Sequence, residues 1–177
     1  MNIKKLEKLT ENPTSDWGIN GYTTNTILSV SFVEFGGSFE FILKEKSLPY
    51  TKVWKTGSDD IDELNEMIEK GHSFGAFEEN KLTGWIICEH RTWNKSFYID
   101  NILISEEFRR GGIGVQLIKN AVREARNLNC RVIELETQNT NYPAIQFYRR
   151  MGFGITGLNT RLYENPEETA VFMTLDL

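Results

Sequence analysis

The residues Arg109-Arg110-Gly111-Gly112-Ile113-Gly114 carry the clearest chemistry in the chain. They join an apolar run, residues 97–104, to an amphipathic run, residues 115–128, so the spacing predicts a glycine-rich turn from a strand into a helix. At the start of a helix the first backbone N–H groups have no intrahelical acceptor, and the helix dipole adds partial positive charge there. Glycines let a ligand come close to the backbone, and Arg109 and Arg110 add charge beside it. The combination suits a phosphate or pyrophosphate, so the chain is expected to hold a phosphorylated cofactor.

The surrounding elements follow from periodicity. Leu28, Val30 and Phe32 alternate with polar neighbours, as do Phe39, Phe41 and Leu43, and Gly36-Gly37 lies between them; this reads as a hairpin. A helix is expected over residues 59–70, with Ile61, Leu64 and Ile68 on one face, Asp59, Asp60, Asp62 and Glu63 at its start, and Gly71 closing it. Strands follow at 74–78 and 82–89 with Asn80-Lys81 at the turn, then at 97–104 after Trp93-Asn94-Lys95. Gly114, Leu117, Ile118, Ala121, Val122, Ala125 and Leu128 form the apolar stripe of the helix after the glycines. A strand at 131–137 leads to a second helix from Asn141, with Pro143 in its first turn, Gly152 at its end, and Ala144, Phe147, Tyr148 and Met151 as its inner face. Two strands, 157–163 and 170–175, close the chain. The helix over 115–128 should be a right-handed crossover between parallel strands. The expected fold is therefore α/β (α+β): one mixed, mostly antiparallel sheet with helices on both faces and a β-α-β unit around the glycine turn. One domain is expected across residues 1–177, with residues 1–26 as a loose, Asn- and Thr-rich N-terminal segment.

Composition narrows the function classes. Apolar content of 40% supports a packed core, and 25% charged residues suit a soluble surface. A net charge of −5 argues against nucleic acid as the partner and is compatible with a cationic substrate. Cys88 and Cys130 are far apart and read as free thiols in a reducing cytoplasm; with His72 and His90 as the only histidines, no metal site and no histidine triad are expected. The N-terminus lacks the apolar core of a signal peptide, and no apolar stretch is long enough for a membrane span.

Which phosphate-bearing cofactor fits can be read from the loop. A P-loop needs a lysine and a hydroxyl after its glycines, and neither is here. A dinucleotide fingerprint is matched only at Gly112 and Gly114, and the strands before it are antiparallel. The pattern R-x-x-G-x-G after a strand is matched by Arg109, Gly112 and Gly114. Here the sequence resembles the GNAT superfamily of acetyl-CoA-dependent N-acetyltransferases, in which this loop cradles the pyrophosphate of coenzyme A. A second family block, N-x-x-A-x-x-F-Y-x-x-x-G-F, is present as Asn141, Ala144, Phe147, Tyr148, Gly152 and Phe153. The resemblance covers residues 74–177. Trp93-Asn94-Lys95, Leu135-Glu136-Thr137-Gln138-Asn139, Phe147-Tyr148, Leu162-Tyr163 and Ala170-Val171-Phe172 look like the streptothricin acetyltransferase branch, whose members acetylate an amine of a cationic antibiotic.

The resemblance implies direct acetyl transfer in a ternary complex. The loop from Arg109 through Arg110, Gly111, Gly112 and Ile113 to Gly114 would bind the pyrophosphate. The strand edge Ile102, Leu103 and Ile104 would pair with the pantetheine arm, and Asn141, Ala144 and Phe147 would add contacts. Asn141 also suits a helix cap, and the two roles are compatible. Tyr148 would protonate the departing thiolate, the alternative being a core tyrosine on an inner helix face. An alkyl amine with a pKa of about 10.4 must lose a proton before it attacks a thioester. Asp100, just before the strand edge, and Glu136, at the end of the neighbouring parallel strand, are the candidate bases. Each also reads as an ordinary solvent-facing or sheet-end carboxylate, and an ordered water is a third option. The leading function is acetylation of a primary amine on a small cationic molecule such as streptothricin. The alternatives are a protein lysine or N-terminal acetyltransferase and a non-catalytic acetyl-CoA-binding regulatory module. Monomer and homodimer both stay open, with residues 158–177 as the surface for a dimer.

Overall fold

The computed structural model describes residues 1–54 and 58–177. In chain order the elements are β1 (Asn2–Lys5), β2 (Gly21–Phe35), β3 (Ser38–Val53), α1 (Ser58–Ile68), β4 (Phe74–Glu78), β5 (Lys81–Arg91), β6 (Ser96–Ile104), α2 (Ile113–Asn127), β7 (Val132–Gln138), α3 (Tyr142–Arg150), β8 (Gly154–Asn159) and β9 (Ala170–Asp176). The chain divides into two compact units: Met1–Asn20, Val53–Leu135 and Thr174–Leu177 form one, and Gly21–Lys52 and Glu136–Met173 the other. The side chains of Asp59 and Asp60, part of the acidic helix start, lie outside the described residues.

In the first unit the strand order is β1-β4-β5-β6-β7. The β1–β4, β4–β5 and β5–β6 pairs are antiparallel, and β6 pairs parallel with β7 from Ser96↔Val132 to Ile99↔Leu135. The expected crossover through α2 is thus present. Successive β5 residues point to opposite faces. Trp85 and Ile87 pack with Leu6, Trp17, Ile61 and Ile68 on the α1 side. Ile86 and Cys88 point the other way, and the buried stripe of α2, Ile113, Leu117, Ile118, Ala121 and Ala125, packs on β4, β5 and β6.

The N-terminal segment differs from the loose stretch read from its polar composition. Residues 2–5 are a strand on β4, and Leu6 and Trp17 are buried. Burial of those two large side chains under the sheet outweighs the polarity of their neighbours. The turn between β4 and β5 is centred on Glu79-Asn80, both at positive φ, one residue earlier than the Asn80-Lys81 turn expected.

The second unit contains the β2–β3 hairpin, the end of β7, α3, β8 and most of β9, with β9 between β7 and β8. Gly36 and Gly37 have φ of 59° and 84°, as both central residues of a type I′ turn require. The hairpin was expected there, but its strands run 15 and 16 residues, far beyond the apolar alternation. Thr and Tyr, which suit a strand, extend the pairing: the Thr23 and Thr51 hydroxyls meet at 3.1 Å, and the Tyr22 and Tyr50 rings stack at 6.2 Å.

α3 buries Ile145 and Tyr148, while Ala144 and Phe147, expected on the inner face, are half-buried on its flank. Periodicity shows that a stripe exists; the docking of the helix selects which residues fill it. β8 also begins earlier than the expected 157–163, at Gly154, and ends at Asn159. Phe153, 3% exposed, anchors its start, and the Asn159 side chain accepts from the Arg161 N–H at 2.9 Å, turning the chain out of the strand.

Candidate functional sites

In the first unit the site is built by a break in register. Ile87 opposes Asn101 and Cys88 opposes Ile99, so Asp100 is the extra residue of a β-bulge on β6. One inserted residue reverses the faces of all that follow. Phe97 and Ile99 share the α2 face with Cys88; past the bulge Asn101 and Leu103 turn to the α1 face, and Ile102 and Ile104 to the α2 face. The Trp85 indole N–H, on that α1 face, donates to Asn101 Oδ1 at 2.7 Å and fixes the bulge. The parallel register with β7 stops at Ile99, where the bulge begins. Ile102, Leu103 and Ile104, the segment expected to face pantetheine, are half-buried and pair with β5.

The connection to α2 is held from two sides. Ser105 N–H donates to Thr83 C=O at 2.9 Å, and Glu106 N–H donates to Trp17 C=O at 2.8 Å. The Glu106 carboxylate accepts from Ile19 N–H at 3.0 Å. Gly18, at φ 74°, leaves no room for a side chain, because a Cβ would stand 2.3 Å from Glu106 Oε2. Arg109 spans the loop: Nε donates to Ile104 C=O at 3.0 Å and Nη2 to Ile19 C=O at 2.6 Å. Its guanidinium thus shapes the loop, and Arg110, exposed and at φ 63°, precedes the glycines.

Gly112 is the N-cap of α2 at φ 84°, ψ 0°, and no side chain caps the helix. A Cβ on Gly112 would meet no atom within 4 Å. Gly111 and Gly112 are exposed, whereas Ile113 and Gly114 are buried and root the turn in the core. An uncapped helix start with open space at Gly112 and an exposed arginine next to it in sequence has the features that suit an anion. Trp17, Gly18 and Ile19 were missed from sequence; the signal was a lone Trp-Gly in a polar segment.

Asp100 is exposed. Partial desolvation first, and the Glu89 carboxylate next, push its carboxyl above the usual carboxylate range, and Arg91 pulls the other way. Glu89 itself is held low by Lys70 at 2.6 Å and Arg91 at 3.0 Å.

In the second unit Asn141 is the N-cap of α3, accepting from Ala144 N–H at 3.3 Å. Tyr148, 6% exposed, lies between Phe147 and Phe153, with ring centroids at 5.3 and 5.7 Å. Glu136 is half-buried near the C-terminal end of β7 and accepts a hydrogen bond from the Tyr163 hydroxyl. Asn139 is a staple between Leu28 and Thr169. Its Nδ2 donates to Leu28 C=O at 2.7 Å, its Oδ1 accepts from Thr169 N–H at 2.7 Å, and its backbone bonds the same two residues. Glu168, 2% exposed, accepts from the Lys52 ammonium at 2.6 Å, the Tyr50 hydroxyl at 3.0 Å and the Thr140 hydroxyl at 3.3 Å. Among the described residues no cluster of His, Cys, Asp and Glu is arranged to hold a metal ion, and no helix is long and apolar enough to cross a membrane.

The mixed and mostly antiparallel sheet, with its bulged strand and glycine-rich helix start, has the fold of a GNAT-type acetyltransferase. The Acetyltransferase (GNAT) family matches residues 39–153, and the chain belongs to that family. It is therefore an N-acetyltransferase that uses acetyl-CoA. A streptothricin acetyltransferase of Streptomyces lavendulae is 32% identical over 167 residues, covering 89% of this chain and 86% of that relative. The crystal structure of nourseothricin acetyltransferase superposes with a TM-score of 0.76 at 26% identity, covering 99% of this chain and 97% of its own. A Bacillus anthracis str. Ames structure in complex with acetyl coenzyme A superposes at 0.73 with 27% identity, covering 99% of both chains.

Proposed function

We propose that this enzyme acetylates a primary amine of a small cationic acceptor, streptothricin or a close analogue, by direct attack on acetyl-CoA. The observation that carries the reading is the near-full-length similarity to the Streptomyces lavendulae streptothricin acetyltransferase, 89% of this chain at 32% identity. The net charge of −5 favours a cationic acceptor over a polyanion.

Acetyl-CoA supplies an activated carbonyl and a thiol leaving group. The chain binds its pyrophosphate through the backbone N–H groups from Gly112 to Gly114, with Arg110 beside them and Arg109 holding the loop in shape. The edge of Ile102, Leu103 and Ile104 takes the pantetheine arm, and a backbone N–H there polarises the thioester carbonyl. Asn141, Ala144 and Phe147 add contacts from the start of α3. Glu136 receives the proton of the incoming ammonium. Its support is position, near the C-terminal end of a parallel strand, and restraint, because Tyr163 holds the carboxylate; exposed Asp100 draws the cationic acceptor toward the bulge. Tyr148 donates a proton to the departing thiolate.

The test is release of CoA thiol with streptothricin, polyamines and short peptides as acceptors. Release with streptothricin at the highest kcat/KM supports the reading. Release only with peptides overturns the acceptor class, and thermal stabilisation by acetyl-CoA with no release from any acceptor points to a regulatory module.

A further inference from the structure

The second unit holds a polar cluster centred on Tyr163. Its hydroxyl donates to Glu136 Oε1 and accepts from Gln138 Nε2 at 2.8 Å. Glu136 and Gln138 are two apart on β7, so they project from one face and a single phenol spans both. The Tyr163 ring lies 5.3 Å from the Lys52 ammonium, which sits 2.6 Å from buried Glu168. Tyr163 belongs to the connection between β8 and β9, which has no helix or strand of its own. A loop tyrosine is thus held at both ends, its hydroxyl by two β7 side chains and its ring by the half-buried Lys52 ammonium that pairs with buried Glu168. Burial first, and the Glu136 charge next, hold the phenol far above its ordinary pKa, so it stays a donor throughout the neutral range.

We propose that Tyr163 is the positioning residue for Glu136, fixing the rotamer of that carboxylate and tuning its basicity toward the acceptor ammonium. The inference rests on the reading of Glu136 as proton acceptor. A carboxylate on a strand has several rotamers open to it. A charge-assisted bond from a phenol, itself oriented by Gln138 and by the Lys52–Glu168 pair, selects one and favours the ionised form. Phenylalanine at this position would keep the ring against Lys52 and lose the donor.

The test uses the full chain with acetyl-CoA and streptothricin, or the best acceptor of the amine panel. Tyr163→Phe is expected to lower kcat by about 10- to 100-fold, the worth of one hydrogen bond to a charged group. KM for acetyl-CoA should stay unchanged, and the acid limb of the kcat–pH profile should move to higher pH. Gln138→Met should move the same limb in the same direction by less, and it provides the reading if Tyr163→Phe does not fold. In a Glu136→Gln background Tyr163→Phe should add nothing. If Glu136→Gln keeps wild-type kcat, the Glu136 reading falls and this proposal falls with it. If Glu136→Gln is impaired while Tyr163→Phe and Gln138→Met leave the acid limb in place, only the role of Tyr163 is overturned. A lowered melting temperature and raised KM with an unmoved limb would make Tyr163 a structural residue and nothing more.

Discussion

Replacing Gly112 separates the conformational and binding roles of the cradle. Gly112 sits at φ 84°, ψ 0°, where an L-residue with a Cβ is strained by roughly 1–2 kcal/mol. A Cβ there meets no protein atom within 4 Å, so Gly112→Ala carries only that strain and no clash. For a domain of this size each kcal/mol moves the melting temperature by roughly 2–4 °C, so a fall of about 2–8 °C is expected. Asn tolerates the left-handed region better, so Gly112→Asn should lose less stability than Gly112→Ala. Both variants, however, put a Cβ into the space where the pyrophosphate is proposed to approach the helix start. Loss of one hydrogen bond to a charged oxygen is worth about 1.5–3 kcal/mol, or roughly 10- to 100-fold in Kd for acetyl-CoA. Calorimetric unfolding and isothermal titration measure the two quantities separately. The reasoning is refuted if Gly112→Asn binds acetyl-CoA as tightly as the wild type, or if affinity across both variants simply follows the melting temperature.

Three further outcomes are expected. Tyr148→Phe should reduce turnover with little change in acetyl-CoA affinity by titration; unchanged turnover would remove its proton-donor role. Asn139→Ala should destabilise the chain by about 2–4 kcal/mol in urea unfolding, because it strips two hydrogen bonds from buried backbone groups on Leu28 and Thr169; a loss under 1 kcal/mol would contradict the staple. Asp100 is raised in the folded state, so the fold holds its proton more tightly than the unfolded chain does, and ionised Asp100 detracts from stability once pH passes its folded value. Asp100→Asn should therefore melt higher than wild type at pH 7, with the difference closing as pH falls through the carboxylate range; a difference that is constant with pH would rule out this cause.

The parts legible in sequence were those written locally. The Gly36-Gly37 hairpin, the strand before the glycine turn, the amphipathic helix after it and the Asn141 cap each depend on residues within one or two turns of chain. They were read from spacing and appear in the fold. What was misread depended on distant partners. Residues 2–5, Leu6 and Trp17 looked like part of a loose segment because polar neighbours surround them, yet they pair with β4 and pack under the sheet. Ile145 on α3 falls outside the stripe that spacing picks out, because several stripes fit a helix of nine residues and only docking chooses one. The bonds from Arg109 to the carbonyls of Ile104 and Ile19, the second 90 residues away, are likewise not written in the local sequence.

By itself, the sequence determined the donor side of the chemistry. A glycine turn at a helix start is a local pattern whose backbone suits an anion, so residue types and spacing alone are enough to propose the site. The tertiary structure alone decided the bulge at Asp100, the Trp17–Ile19 brace under the loop and the Glu136–Tyr163–Lys52–Glu168 network. The bulge exists only as a slip in register between two strands, and the brace and the network join residues far apart in the chain. No local pattern encodes such contacts, because their energy comes from desolvation and hydrogen bonding that begin only when the partners meet.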